Sequence, residues 1–515
     1  MTIIAYIILG IYTIALTYIT TYCLLQFQLL YAYKNFWWKN KSIPTPDVAK
    51  KANAKPVLVG ADANEMTESE GEYDWPVVTV QLPIYNELYV IARLIDRICE
   101  FDYPKDKLEI HILDDSTDET VEIVADKVAE WKAKGFNIEQ IRRVDRVGYK
   151  AGALKEGMKV AKGDFMAIFD ADFMPRIDFL KSTMPHFENE KVGVVQTRWE
   201  HINEDYSLLT RLQALQLNVH FTVEQMGRKA GNYLLQFNGT AGVWRRQTID
   251  EAGGWEADTL TEDLDLSIRA QLKGWEILYL EKFGSPAELP AEMNGLKSQQ
   301  HRWMKGGAET AKKMLPTVWS SHLSFGQKIQ ATSHLLGSTV FVFIFLVGVF
   351  SVPLVFLLDQ IYFNANAFAW FLVGLLSITS IYFVGNVESD ISGKSAFKLF
   401  FKVLFLFPLF LALSMGLSLH NTVAVLQGYF GKKSPFVRTP KYALNTNKDS
   451  FQKEKYRTFK LEWTTISEGL LTLYFICGVV GGIYLQEYTF LVFHTLLTFG
   501  YGTIFFYTVK HLSLK

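Results

Sequence analysis

The sequence predicts an α/β domain carried between membrane-spanning helices, and three observations indicate this arrangement. Long apolar blocks stand near both ends of the 515-residue chain. Between them, residues 76–316 alternate short apolar runs with amphipathic stretches, which is typical of strands joined by helical crossovers in a parallel sheet. Two of these runs end in closely spaced aspartates, and open α/β sheets bind ligands beyond the carboxyl ends of their strands.

The composition favours a membrane protein over a nucleic-acid-binding one. The formal net charge is −1, so the chain has no signature of binding to polyanions such as nucleic acid. Hydrophobic residues make up 49% and aromatic residues 14% of the chain, and the apolar residues are concentrated in blocks. The three cysteines lie far apart without zinc spacing. The sequence therefore points to a lipid bilayer as its surroundings, and it leaves protein partners unknown.

The N-terminal block, residues 1–34, predicts a retained transmembrane helix. It lacks a basic start and a small-residue cleavage site, so a cleaved signal peptide is not indicated. Lysines and tryptophans cluster directly after it, which places the N-terminus outside and the following chain in the cytoplasm. The polar, proline-containing residues 35–75 are predicted to form a cytoplasmic linker.

The C-terminal region, residues 317–515, predicts further membrane helices. Its apolar blocks are residues 336–358, 367–386, 396–428, 464–485 and 488–509. Segment 430–462 carries nine Lys or Arg residues, which the positive-inside rule assigns to the cytoplasm. A full crossing by residues 396–428 would put that segment outside. We therefore expect residues 396–428 to lie in the interface or to re-enter the membrane.

The central region, residues 76–316, predicts four strands and two helices in its first half. The strands are residues 77–82, 108–113, 138–144 and 165–169, and the helices are 89–100 and 120–134, the second capped by Ser116. Residues 204–228 show helical spacing of apolar residues, which fits a core-facing helix or one lying on the membrane surface. A further helix follows Thr261, which is its predicted N-cap.

Carboxylates and cations in this region suggest a site for a phosphorylated ligand. Asp170 and Asp172 follow a buried strand, and two acids one residue apart suit a divalent cation and the phosphates that it bridges, although a turn or helix cap explains an isolated pair equally well. Asp114 and Asp115 end another strand and can accept hydrogen bonds from a base and a ribose. Lys150 precedes small residues at a helix start, where phosphate is favoured.

Two later motifs contribute further acidic, basic and aromatic side chains to the candidate site. Glu262, Asp263 and Asp265 stand before an apolar-periodic helix, and capping does not require three acids. The run 299–303, which contains Gln299, Arg302 and Trp303, joins an amide and a planar cation to an aromatic face on which a sugar can rest.

With these motifs in this order, the chain resembles the membrane-embedded inverting glycosyltransferases of family two. The shared features lie at residues 83–87, 114–116, 170–172, 261–263 and 299–303. The cellulose-synthase-like mannan, glucomannan and xyloglucan-backbone synthases look most similar, through residues 173–180, 220–225, 237–244, 288–290 and 421–422. Residues 436–441 resemble the gating-loop motif of cellulose synthases, with Arg438 where the familiar pattern has Val. The resemblance implies a GT-A domain, Rossmann-like and cytoplasmic, inserted between transmembrane helices.

The resemblance also implies a role for each motif residue. Asp263 would be the general base. The nucleotide-sugar donor would be held by Asp114, Asp115, Lys150, Asp170, Gln299 and Arg302. Asp172, with Asp170, would bind Mg²⁺ or Mn²⁺. The acceptor, a glycan or a lipid, would be bound by Trp303, Glu262, Phe237, Asn238, Gly239 and Thr240.

The implied reaction is transfer of a sugar from GDP-mannose or UDP-glucose to a growing β-linked polysaccharide, processive and coupled to translocation. Two alternatives stay open at this stage. One is a non-processive enzyme that glycosylates a membrane lipid, and the other is a non-catalytic nucleotide-sugar sensor, since motifs do not prove activity. A bacterial plasma membrane and a Golgi membrane both suit this multi-pass topology with a cytoplasmic catalytic domain.

Overall fold

The computed structural model describes residues 2–39, 74–358, 365–389, 395–433, 438–444 and 462–513. Most of the predicted linker 35–75 and most of segment 445–462 lie outside these residues. The strands are β1 Val78–Ile84, β2 Leu108–Asp114, β3 Asn137–Ile141, β4 Phe165–Ile168, β5 Val192–His201, β6 Gly242–Arg245 and β7 Glu276–Ala287.

Helices surround this sheet and extend beyond it. Those of the central region are α2 Ile91–Cys99, α3 Thr120–Ala133, α4 Tyr149–Val160, α5 Phe179–Thr183, α6 Leu208–Val219, α7 Gln225–Ala230, α8 Arg246–Glu251, α9 Glu262–Leu272 and α10 Met293–Ser320. Those outside it are α1 Thr2–Lys39, α11 Phe325–Leu335, α12 Val340–Leu357, α13 Leu372–Val387, α14 Ala396–Gly416, α15 Ser418–Tyr429, α16 Trp463–Tyr484 and α17 Leu491–Ser513.

The seven strands form one sheet in the order β3-β2-β1-β4-β6-β5-β7. The four neighbouring strands β3, β2, β1 and β4 run parallel to one another as expected, and β5 is parallel to β7. Strand β6 is antiparallel to both β4 and β5, so the predicted parallel sheet is in fact mixed. The reason is where β6 begins: the Ala241 N–H donates to Ile168 O, at the carboxyl end of β4. The chain then has to run back along β4, and the loop before β6 stays at the ligand-binding edge.

Helices cover both faces of the sheet, so its strands are buried on two sides. Along β4, Phe165 and Ala167 point into one core, whereas Met166 and Ile168 point into the other. The first core is closed by α2, α3 and α5. The second contains side chains of α4, α6 and α9 together with side chains from α1, α13 and α14. The sheet and the long apolar helices therefore share one hydrophobic core.

Several local predictions are wrong at their boundaries. Ser116 does not cap α3; its hydroxyl accepts the Asn86 N–H at 2.9 Å. Thr261 precedes α9 without a side-chain cap, and its hydroxyl contacts Thr310 instead. The predicted helix 204–228 is divided into α6, a π-helical turn His220–Glu224 and α7. Helix α10 runs from Met293 to Ser320 with Pro316 inside it.

Six helices among the described residues are long and apolar enough to cross a membrane: Thr2–Lys39, Gly337–Leu357, Phe368–Val387, Phe397–Gly416, Trp463–Tyr484 and Leu491–Leu512. Block 396–428 is two helices, α14 and α15. By length and composition α14 could span, yet Phe407 and Phe410 pack in the core shared with α6, and Lys402 pairs with Glu204 at 2.6 Å. Whether residues 396–428 cross the membrane stays a prediction.

Candidate active site

A cleft of about 210 Å³ opens at the carboxyl ends of β1, β2 and β4. It is lined by the loops that follow these strands, by the starts of α4 and α9, by α10, and by the segment 438–441 from beyond the membrane helices. Twelve charged side chains are among its lining residues: Glu87, Asp115, Arg146, Lys150, Asp170, Asp172, Glu262, Asp263, Glu288, Arg302, Arg438 and Lys441. The cleft thus contains both acids and bases, which suits a ligand that carries a diphosphate and sugar hydroxyls.

The two aspartates at the end of β2 point to different places. Asp115 lines the cleft and receives a bidentate contact from Arg143, with Nε at 2.8 Å and Nη2 at 2.5 Å. Asp114 is buried behind it, where Oδ1 accepts the Ser116 N–H and Oδ2 accepts from Gln140 Nε2, both at 2.8 Å. Asp114 therefore organises the loop, and only Asp115 faces the cleft.

Lys150 is an internal counter-ion at the centre of the site. It lies in the first turn of α4, and its Nζ contacts Asp170 Oδ1 and Gly239 O, the latter at 2.9 Å. Burial disfavours its charge, but the charges of Asp170, Glu262 and Asp263 outweigh burial and raise the pKa of Lys150. Lys150 is thus a cation that lies among three carboxylates of the cleft.

Asp172 is paired with a residue far along the chain. Lys441 Nζ lies 2.7 Å from Asp172 Oδ2, and it also donates to the carbonyl oxygen of Glu288. The Tyr442 N–H donates to Glu288 Oε1 at 2.9 Å, which fixes the same segment against the end of β7. One carboxylate of the predicted metal site is therefore neutralised by the chain itself.

Asp263 lies at the start of α9, and its surroundings bring the pKa of its carboxyl group close to neutral pH. Burial first, and the charge of Glu262 second, raise the pKa of Asp263 to about 7, against the lowering effect of Lys150. Gly239 makes room for it: with φ of +79°, an added Cβ would lie 2.9 Å from Asp263 Oδ2 and 3.6 Å from Lys150 Nζ.

Helix α10 supplies the other wall with Gln299, Arg302 and Trp303. Arg302 Nη2 donates to Thr439 Oγ1 at 3.0 Å, so α10 and segment 438–441 meet inside the cleft. Burial lowers the pKa of Arg302, with Asp170 and Glu262 opposing this, and a guanidinium stays charged at neutral pH despite such a shift.

Segment 438–441 makes a second ion pair with the loop after β1. Arg438 donates to both carboxylate oxygens of Glu87, from Nε at 2.8 Å and from Nη2 at 2.6 Å. Burial raises the pKa of Glu87, and Arg438 opposes that rise. Together with the Lys441 contact, this pair spans the cleft between β1 and β4.

All but three of the sequence-predicted site residues line the cleft. The exceptions are Asp114, Phe237 and Thr240. Phe237 is fully buried against Trp244, with ring centroids 5.4 Å apart. The Thr240 hydroxyl accepts the Asp170 N–H at 2.9 Å. These side chains support the loop from behind and cannot touch an acceptor as placed here.

Sequence reasoning missed several residues of the cleft. Arg143 and Arg146 both approach Asp115, and the Arg146 guanidinium lies 3.3 Å from the ring centre of Tyr85. The signal was a cluster of three arginines directly before Lys150. Lys441 belongs to the run 436–441 that resembles the gating loop, but no sequence pattern predicts its contact with Asp172.

A separate acidic cluster, Glu256, Asp258 and Asp265, has the geometry of a metal group. Lys313 fills it: its Nζ lies 2.5, 2.9 and 3.1 Å from these three carboxylates respectively. The cluster is thus an ion network centred on Lys313 that fastens α10 to α9, and the cleft remains the candidate site.

The sheet with its antiparallel β6, the acidic strand ends and the flanking apolar helices define the class: a GT-A glycosyltransferase domain joined to membrane-type helices. The family described as glycosyltransferase like family 2 matches residues 76–306. Glucomannan 4-beta-mannosyltransferase 2 of Arabidopsis thaliana is 37% identical over 433 residues, covering 80% of this chain and 77% of the relative. Glucomannan 4-beta-mannosyltransferase 9 of the same species is 45% identical over 249 residues, covering 47% of each chain.

The chain belongs to glycosyltransferase family two, among its cellulose-synthase-like members. A mannosyltransferase from Pyrobaculum calidifontis, solved in complex with GDP-Man and Mn2+, is also similar at 17% identity, with a TM-score of 0.46 over 81% of this chain and all of that one. This chain is a glycosyltransferase, and the expectation of a family-two enzyme drawn from the motifs is confirmed.

Proposed function

We propose that the protein transfers mannosyl residues from GDP-mannose to a growing β-linked glycan, with inversion at the anomeric carbon. The observation that carries this proposal is the placement of one carboxylate with a pKa near 7, Asp263, in a cleft that also holds Lys150 and Arg302. The relatives named glucomannan 4-beta-mannosyltransferases favour mannose as the sugar. UDP-glucose is the alternative donor.

The chemistry follows from this placement. Asp263 takes the proton of an acceptor hydroxyl while that oxygen bonds to the anomeric carbon of the donor. The bond between this carbon and the diphosphate oxygen breaks on the opposite face, so an α-linked donor gives a β-linkage in one displacement. The charge that develops on the leaving diphosphate is met by Lys150 and Arg302, fixed cations that need no reorganisation. Trp303 offers the acceptor sugar an aromatic face.

Asp170 and Asp172 fit a divalent cation, Mg²⁺ or Mn²⁺. Both end their side chains in hard oxygen donors on the cleft wall, and each already holds a cationic group, Lys150 or Lys441, at contact distance. A bound cation would supply charge neutralisation for the diphosphate. Asp172 is the proposed direct ligand, and Asp170 is shared between the ion and the nucleotide. Asp115 is the proposed contact for the nucleoside.

Processive synthesis with passage of the product through the membrane region is the finer proposal. Helix α10 lines the cleft with Gln299 and turns Gln300 toward a second, small cavity. That cavity holds only about 20 Å³ between α6, α10, α12 and α14, and leucines line it together with Gln213, Gln216, Gln300, Phe341 and Phe410. What supports the proposal is that α10 runs from the cleft into the hydrophobic core that the sheet shares with the apolar helices.

The orientation that we propose has the catalytic domain and segment 430–462 in the cytoplasm of a plasma or Golgi membrane. The charge pattern along the chain supports it. Reporter tags that placed residues 440–460 outside would overturn this orientation.

Side-by-side donor depletion tests the proposal. Purified full-length protein in lipid vesicles is supplied with radiolabelled GDP-mannose or UDP-glucose and a divalent cation, and the product is sized. We expect label from GDP-mannose in a polymer that a β-mannanase degrades. A single glycolipid product would support the non-processive alternative, and consumption of neither donor would contradict the proposed activity.

A further inference from the structure

A partly buried polar network lies beside residues 237–240, the proposed acceptor loop, and reaches into the cleft through one amide. It starts at the π-helical turn His220–Glu224 between α6 and α7. His220 Nδ1 lies 2.9 Å from Glu224 Oε2, and His220 Nε2 lies 2.9 Å from Asn238 Oδ1. Asn238 is the one member of this group that lines the cleft. π-Helical turns are rare and concentrate at functional sites.

The contacts of this group hold one end of the Asn238 amide. Burial opposes ionisation of Glu224, but the His220 hydrogen bond and the charge of Arg228 prevail and lower the pKa of Glu224 to about 2. The carboxylate can therefore only accept, so His220 donates from Nδ1. Its other ring nitrogen, Nε2, contacts the Asn238 amide. The opposite end of that amide is turned away from the ring and lies 3.5 Å from Gln236 O.

The backbone of the acceptor loop does not depend on His220. The Phe237 N–H donates to Ser267 Oγ and the Asn238 N–H donates to Gln196 Oε1, both at 2.9 Å. Gln196 Nε2 in turn donates to the carbonyl oxygens of Thr240 and Ala241. Loss of His220 would thus free the Asn238 amide while the loop stays in place. That separates a role in orienting the amide from a role in holding the fold.

The network is also anchored to the first apolar helix. Arg228 Nη2 donates to Glu224 Oε2 at 3.3 Å. One residue before Arg228, Gly227 approaches Leu29 so closely that an added Cβ would lie 2.4 Å from the Leu29 carbonyl oxygen. The π-helical turn therefore sits where α1 meets the catalytic domain, and its side chains are held from both sides.

We propose that His220, oriented by Glu224, is a positioning residue that holds one end of the Asn238 amide so that the other end hydrogen-bonds a hydroxyl group of the acceptor sugar. This inference rests on the proposed glycosyl transfer. The ligand class is the non-reducing end of a β-linked hexose chain. Asn238 touches the acceptor, and His220 acts only through Asn238.

The test separates acceptor binding from donor binding. Full-length protein in lipid vesicles is assayed with GDP-mannose and a short β-1,4-mannan oligosaccharide, varying each at saturation of the other. We expect His220→Ala to raise the acceptor KM about tenfold, the loss of one well-placed hydrogen bond, with the donor KM within about twofold of wild type. His220→Gln keeps a donor near the Nε2 position and should recover most of the loss. His186→Gln, a partly buried histidine outside the cleft, is the matched control.

A double-mutant cycle makes the result decisive. In an Asn238→Ala background, His220→Ala should add no further change in acceptor KM, because both remove the same contact. Additive effects, or an equal rise in donor and acceptor KM, would overturn the inference. If His220→Ala fails to fold, the same cycle is run with Glu224→Gln and the same criteria. Wild-type protein that transfers no sugar from either donor would instead contradict the proposed function itself.

Discussion

Lys441 Nζ lies 2.7 Å from Asp172 Oδ2, although the two residues are 269 positions apart in the sequence. The contact places a lysine ammonium where the proposed metal ion needs a carboxylate oxygen. An ammonium and a divalent cation repel each other and cannot both lie close to Oδ2 of this carboxylate. The proposed ion would therefore compete with Lys441 for Asp172.

The first prediction is that removal of Lys441 strengthens metal binding in the absence of donor. Hydrogen bonds to charged groups contribute about 1.5–3 kcal/mol, so Lys441→Ala should lower the Kd for Mn²⁺ by about tenfold or more. The electron paramagnetic resonance signal of free Mn²⁺ measures it directly. Lys433→Ala, an exposed lysine of the same loop, is the control and should leave the Kd unchanged. An unaltered Kd in Lys441→Ala would mean that the ion binds elsewhere.

The second prediction concerns the division of roles within the aspartate pair. Asp172→Ala should abolish the dependence of GDP-mannose binding on Mn²⁺, because it removes the proposed direct ligand. Asp170→Ala should weaken donor binding and keep part of that dependence. Titration calorimetry with and without Mn²⁺ distinguishes the two, with Asp178→Ala, which pairs with Arg176, as an acid outside the cleft for comparison. Metal-dependent donor binding retained in Asp172→Ala would show the division to be wrong.

The third prediction is that Asp263→Asn abolishes transfer while donor binding survives. The amide keeps the size of the carboxylate but cannot take the acceptor proton, and loss of a general base costs about 10²–10⁴-fold in rate. Donor affinity should stay within about threefold of wild type. The exposed Asp250→Asn variant serves as the matched control. Near-normal turnover by Asp263→Asn would remove this residue from the base role.

The fourth prediction is a pH profile with its acidic limb near 7. Only ionised Asp263 accepts a proton, and because its pKa is raised to about 7, kcat should fall about tenfold for each unit of pH below that value and level off above it. Glu262 raises that pKa by charge repulsion, so Glu262→Gln should move the limb to lower pH even where the rate is reduced. A limb that does not move, or one that moves upward, would contradict this electrostatic account. The free energy of unfolding should depend on pH in the opposite direction. Folded Asp263 binds its proton more tightly than the unfolded chain does, so its contribution to the free energy of unfolding falls as pH rises from about 4 to about 7.

Much of the site could be predicted from the sequence because strand ends are local features. The buried run before Asp170 and the one before Asp114 both end at the ligand-binding edge, where the periodicity places them. What periodicity cannot tell is which of two adjacent acids faces the cleft. Successive side chains of a strand point to opposite faces, so Asp114 turns toward Gln140 and Asp115 toward the cleft. Choosing between them requires the position of β3.

The pairs formed by segment 438–441 could not be predicted. Arg438 and Glu87 are 351 residues apart, with three of the candidate membrane helices between them in the chain. Ion pairs of this kind follow from tertiary packing and leave no periodic trace in the sequence. The antiparallel β6 was missed for a related reason: its direction depends on where the acceptor loop enters the sheet, which the residues of β6 themselves do not encode.

The last prediction uses two glycines with similar backbones and different surroundings. Gly239 has φ of +79° and Gly254 has φ of +77°, so an alanine at either position is strained by about 1–2 kcal/mol. An added Cβ at Gly254 meets no atom of the described residues within 4 Å, whereas at Gly239 it lies 2.9 Å from Asp263 Oδ2. Gly239→Ala and Gly254→Ala should therefore lower Tm by similar amounts, but only Gly239→Ala should lower kcat, by roughly tenfold to a hundredfold through displacement of the proposed base. Thermal unfolding and kcat measured on the same preparations check both halves. Equal kcat in the two variants would show that the loop yields without moving Asp263, and the close approach would then have no catalytic consequence.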